Sequence, residues 1–149
     1  MMIAAAIAAL LADAATAPVP GVANAARARM NWMLHCQGCH QAEAKGSAAA
    51  RTPAMAGEVA RFLSVEGGRA YLTRVPGVAN AGLPDDQLAE LLNWTLATFD
   101  AGHMPATFTP FTAAEMAAGR KAPLVSDAAR MREEISAKFA KAARAGGGG

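Results

Sequence analysis

Apolar residues recur along this chain at helical spacing, and no stretch alternates apolar and polar residues as a half-buried strand would. The clearest stripe is Leu88, Leu91, Leu92, Thr95 and Phe99, at i, i+3, i+4, i+7 and i+11. It predicts one amphipathic helix, opened by Leu83-Pro84-Asp85-Asp86 with proline near its first position and acids in its first turn. Trp94 lies beside that face. Upstream, Met30, Met33 and Leu34 predict the inner face of a helix over 26–34, with Arg27 and Arg29 turned away and Trp32 at its edge. Short helices are predicted over 58–65 (Val59, Phe62, Leu63), ended by Gly67-Gly68, and over 69–75 (Tyr71, Leu72), stopped by Pro76-Gly77. Downstream, Thr112 to Glu115 has the spacing of a capping box for a helix ending near Gly119. Ser126 is placed to cap a last helix carrying Met131, Ile135 and Phe139 every four residues. The pattern predicts an all-α protein.

Composition agrees and adds a constraint. Apolar residues are 53% of the 149, yet many are alanine and only 5% of the chain is aromatic. A core so poor in large side chains is easier to build if a buried apolar group adds volume. The first eleven residues are almost all Ala, Ile and Leu. That run is too short to span a bilayer and fits the apolar region of a secretory signal. Pro18-Val19-Pro20-Gly21 breaks any helix, and Ala23-Asn24-Ala25 is the predicted cleavage site, with Ala15-Thr16-Ala17 second. This reading makes 1–25 a signal peptide, 26–111 the main domain, and 112–149 a helical extension with a disordered tail from Gly146. No Lys or Arg precedes the apolar run, so a misassigned start or an uncleaved terminus is the alternative. Net charge is +2. Losing residues 1–25 would delete one acid, Asp13, and no base. Neither the balance nor any basic stripe with interleaved aromatics supports nucleic-acid binding.

The candidate chemistry is concentrated in Cys36-Gln37-Gly38-Cys39-His40. Cys-x-x-Cys-His is the attachment signature of a c-type haem. On one helical turn, i, i+3 and i+4 share a face. Two thiols can then reach the two vinyl groups of one porphyrin while His40 faces the iron. A dithiol redox pair would be expected beside a βαβ pattern, which is absent. A structural zinc site needs four N or S ligands, and the chain has only two Cys and three His (His35, His40, His103).

Beyond the motif, "GGRAYLTRVPGV…LPDDQLAELLNWTLATF" resembles the end of bacterial periplasmic class I cytochromes c, and the likeness covers about residues 27–100. The resemblance implies an all-α class I cytochrome c fold around one covalent haem c, with a helical C-terminal extension and with the first and last core helices crossing. Cys36, Cys39 and His40 match the attachment residues. Pro53 matches the proline whose carbonyl holds the proximal imidazole, and Met55 matches the hydrophobe that packs on the haem. The family usually presents a distal Met just before the last core helix, where this chain has Leu83-Pro84. Met104, in Gly102-His103-Met104-Pro105, is the preferred distal ligand. Met55, His103 and an open sixth position are the alternatives, since most of the eight Met should simply pack. His35 is read as a surface or haem-edge residue.

The implied function is periplasmic electron transfer from a dehydrogenase to a respiratory acceptor, not an enzymatic conversion. The protein would act alone or as the cytochrome subunit of a dehydrogenase complex, with no membrane span in the mature chain. A haem-based ligand binder or small peroxidase with an open sixth site is the competing class. The extension, with capping signals of its own, is expected to be dispensable for haem binding.

Overall fold

The computed structural model describes residues 18–146; the apolar run over 1–17 and the last three glycines lie outside the described residues. Among the described residues eight α-helices follow in order: α1 (Ala25–His35), α2 (Gln37–His40), α3 (Gly68–Arg74), α4 (Pro76–Ala79), α5 (Asp85–Asp100), α6 (Ala113–Arg120), α7 (Ala128–Ser136) and α8 (Phe139–Gly146). Two 3₁₀ helices, Val59–Ser64 and Ala101–His103, lie between them. The described residues form no strand, only an isolated bridge between Ser47 and Thr52. The all-α expectation is met.

The long stripe does organise the core. Leu88, Leu91, Leu92 and Thr95 are all buried, and so are Ala89, Glu90, Asn93 and Leu96, so α5 is enclosed on most of its circumference. Several partners enclose it: α1, α6 and the 3₁₀ helix Val59–Ser64 pack on different sides.

α1 reverses its predicted face. Its buried residues are Ala28, Asn31 and Trp32, while Met30, Met33 and Leu34 are 54, 45 and 70% exposed. Ala28 has no exposed surface, and a side chain that small lets the two helix axes approach. Polar groups then fix the crossing. Arg27 Nε donates to Glu90 at 2.8 Å, and Asn31 Nδ2 donates to Gln87 at 3.4 Å.

The segment over 58–65 is a 3₁₀ helix instead of an α-helix. It is confined between Gly57 (φ +72) and Gly67 (φ +82), too short for regular α bonding to gain much. Pro76 does not merely stop α3. It stands at the first position of the single-turn α4, where its missing N–H costs nothing.

The C-terminal residues join the same core. Met116, Leu124 and Ile135 are buried with Phe62, Tyr71 and the α5 leucines. Thr112 and Glu115 form the predicted capping box. Arg69 seals that corner, donating to both carboxylate oxygens of Glu115 (2.6 and 3.0 Å) and to the carbonyls of Thr109 and Pro110. Its guanidinium lies 4.0 Å from the Phe111 ring centroid. Arg120 reaches the carbonyls of Ala81 and Leu83 (2.8 and 2.7 Å), and Arg74 Nε donates to Ala122 O at 2.7 Å. Ser126 does not cap the last helix. Asp127 precedes α7 without a side-chain cap, and the helix breaks after Ser136 before α8 starts at Phe139. The break lets Phe139 meet Phe62 edge to face, with centroids 5.0 Å apart. Gly146, expected in a disordered tail, is the last residue of α8.

Candidate functional site

α1 delivers the motif. Cys36 ends α1 and begins the turn α2; its N–H bonds Trp32 O, and its own carbonyl accepts from Cys39 N (3.2 Å) and His40 N (3.0 Å). The backbone therefore folds the five residues into one helical turn, with no disulfide between the two cysteines. Cys36 is half-buried, and burial pushes its thiol up to about 11. Cys39 is exposed. A nucleophilic redox thiol works through a lowered pKa, so Cys36 is poorly suited to that chemistry.

His40 is half-buried. Burial pulls its pKa below 6.5, partly opposed by the Pro53 carbonyl. Nδ1 lies 3.1 Å from Pro53 O. With the proton on Nδ1 this is a donated hydrogen bond, which leaves Nε2 with a free lone pair, the state of a metal-ligating imidazole. The loop over 41–53 makes this contact possible. Gly46 N returns to His40 O at 3.0 Å, and Ser47 and Thr52 pair through both backbone bonds. Gly46 (φ +70) sits against the Thr52 and Pro53 backbone so closely that a Cβ would be 2.5 Å from Thr52 O.

Two other residues complete the neighbourhood, and sequence reasoning gave neither its role. Trp32 is 2% exposed, its ring centroid 6.3 Å from His40 and 4.5 Å from Phe99. Its Nε1–H is buried without a partner. The stripe Ala28, Trp32, Cys36 at four-residue spacing could have revealed it. Asp100 is buried at the end of α5, accepting from Ala60 N at 2.8 Å and facing His103 Nδ1 at 2.6 Å. The signal was a carboxylate at a helix C-terminus, where the dipole disfavours it, three residues before a histidine.

Met55 and Met104 are both partly buried against the core. Gly57 N donates to Phe99 O at 3.0 Å, which ties the segment after Met55 to the end of α5; Met104 follows four residues beyond that end, after the 3₁₀ helix Ala101–His103. His103 is exposed and His35 is exposed at the end of α1. Among the described residues no cluster of three or more His, Cys, Asp or Glu could hold a metal ion by itself.

The chain is 34% identical over 99 residues to cytochrome c-552 of Thermus thermophilus, a match covering 54% of this chain and 75% of that protein. The chain belongs to the c-type cytochromes. A second cytochrome c-552, from a particular strain of the same organism, matches at the same 34%, over 66% of its length. No family model and no solved structure matches the chain. Membership implies a haem c, and the cytochrome's own residues fit one. The donor set is one imidazole nitrogen and two thiols on a single turn, and beside it the buried Trp32 Nε1–H lacks the partner that a buried donor requires.

Proposed function

We propose that this cytochrome is an exported electron-transfer protein carrying one haem c, bound covalently through Cys36 and Cys39 with His40 as the proximal ligand. The observation that carries the proposal is the 3.1 Å contact between His40 Nδ1 and Pro53 O, on the same turn as both thiols. Pro53 fixes the imidazole plane and its tautomer and raises its basicity. Trp32, backed by Phe99, lies beside the ring as an apolar neighbour. When bound, the haem supplies a one-electron ferrous–ferric couple. Donor and acceptor are taken to be a dehydrogenase and a respiratory acceptor outside the cytoplasm. Among the described residues no helix is long and apolar enough to cross a membrane.

Protein matured with a haem-attachment system should retain haem on a denaturing gel, and Cys36→Ala with Cys39→Ala should abolish the staining. Absence of denaturation-resistant haem in the unsubstituted protein refutes the proposal.

Met104 is the proposed sixth ligand. A second reading, a ligand-binding haem with an open sixth position, draws on one feature: residues 56–102 contain no Met, His, Cys or Lys. Reduced protein that resists carbon monoxide, with Met104→Ala admitting it and lowering the potential, supports the carrier with Met104 ligation. Immediate carbon monoxide binding by the unsubstituted protein supports the open site instead.

A further inference from the structure

The seven residues ahead of α1 are built into the fold. Val22 N bonds Val19 O at 3.1 Å and closes a turn. Gly21 follows the backbone there at φ +76, where a side chain would be strained. An added Cβ would also collide with Asn93 Nδ2 and with Pro110 Cβ. The Gly21 carbonyl accepts from Asn93 Nδ2 at 3.2 Å. Asn93 has no exposed surface, and its remaining capacity is spent on Phe111, accepting from the backbone N at 2.8 Å and donating to the carbonyl at 3.1 Å. Residues 19–22 thus close the outer side of a buried amide on α5.

Asn24 does two further things. Its Oδ1 accepts from Arg27 N at 2.9 Å, which caps α1, and its N–H donates to Glu90 Oε1 at 2.8 Å. Glu90 is 4% exposed, with Arg27 on its other oxygen. A buried carboxylate needs such partners, because an ionised group left short of hydrogen bonds is strongly disfavoured. Hydrolysis of the Ala25–Ala26 bond would remove the cap, one Glu90 donor and the Gly21 acceptor together. It would also put a new ammonium at the positive end of the helix dipole.

We infer that the mature chain keeps Pro18–Ala25, and that Ala23-Asn24-Ala25 is the N-cap of α1, not a cleavage site. Any processing during export then falls before Pro18. The inference does not depend on the haem proposal.

The test uses the full chain, produced in a bacterium competent for export and haem attachment. Intact mass and N-terminal sequencing of the folded product should give a start at or before Pro18. Any start beyond Pro18 overturns the inference. A second measurement addresses the contacts themselves, through thermal midpoints of the Asn24→Ala, Asn24→Ser and Gly21→Ala variants. Loss of the cap in Asn24→Ala should lower the midpoint by roughly 3 °C or more. Asn24→Ser, which keeps a capping oxygen, should recover most of the loss. Gly21→Ala should fall further or fail to fold. An unchanged midpoint for Asn24→Ala shows that the segment holds nothing and overturns the inference as well.

Discussion

Met116→Ala tests whether the residues after Phe111 form part of the core. The Met116 side chain has no exposed surface and lies on α6, which packs against both α5 and α3. Truncation to alanine removes buried thioether atoms from a place where the surroundings are pinned. Gly119, one turn on, is so close to Thr73 that a Cβ would stand 2.5 Å from Thr73 O, and the Arg69–Glu115 pair holds the helix start. The site therefore collapses poorly, and the cost should be about 2–5 kcal/mol, the range for buried methionine truncated to alanine. For a chain of this size each kcal/mol lowers the midpoint by roughly 3–4 °C. Far-UV circular dichroism should accordingly show one transition moved down by roughly 6–20 °C, and the haem absorbance should change at the same temperature. Met116→Leu, which conserves volume, should lose less than about 1.5 kcal/mol. Two separate transitions, with the haem signal following only the upper one, would refute the reasoning and restore an independent extension beginning at 112.

Three further outcomes follow from buried polar groups. Asn93→Ala removes three hydrogen bonds at a site with no exposed surface, leaves the Phe111 N–H without its acceptor, and should cost about 2–4 kcal/mol by chemical denaturation. The Arg69 guanidinium holds the Glu115 carboxyl below its ordinary 4.5, so this pair stabilises the fold above pH 4.5 and the contribution is lost as pH falls through the lowered folded value. Arg69→Met should therefore flatten the acid limb of a stability–pH curve below about pH 4.5, and an acid limb identical to the parent's would count against the pair. Pro53→Ala keeps the carbonyl and frees the backbone, so the haem should still attach, but proximal ligation should loosen and the potential should spread between preparations; an unaltered potential and an unaltered ferric spectrum would remove Pro53's special part.

The pattern carries the helices well where a capping signal and a long apolar stripe coincide. α5 and α6 fall within a residue or two of their predicted bounds, because Pro84 with two acids in the first turn marks the start of α5 locally and the Thr112–Glu115 capping box does the same for α6. The turn α2 and its link to Pro53 are legible for the same reason: one depends on i, i+3, i+4 spacing, the other on a family likeness at a fixed interval. What stays hidden is non-local. No spacing says that Arg69 will meet Glu115, that Arg120 will meet the Ala81 and Leu83 carbonyls, or that Asp100 will satisfy Ala60 N. The extension looks separable in sequence because its caps are its own. Its apolar residues, taken alone, give no hint that Phe62 and Tyr71 are waiting for them.

The face of α1 shows most clearly why hydrophobicity by itself misleads. Met30, Met33 and Leu34 are the most apolar side chains on that helix, and at i, i+3, i+4 they make a credible inner stripe. The competing stripe, Ala28, Trp32 and Cys36, contains a small residue, an aromatic and a thiol. It wins because volume has to match the partner. Ala28 permits close approach to α5, Trp32 fills the space between Phe99, Trp94 and His40, and the next step along the stripe is the first thiol of the motif. Rotating the helix to bury the methionines would swing Trp32 off Phe99 and away from the His40 ring, so the aromatic contacts select the register. The consequence is an exposed apolar strip of Met30, Met33 and Leu34 immediately before Cys36, left outside because Ala28 and Trp32 take the inner face.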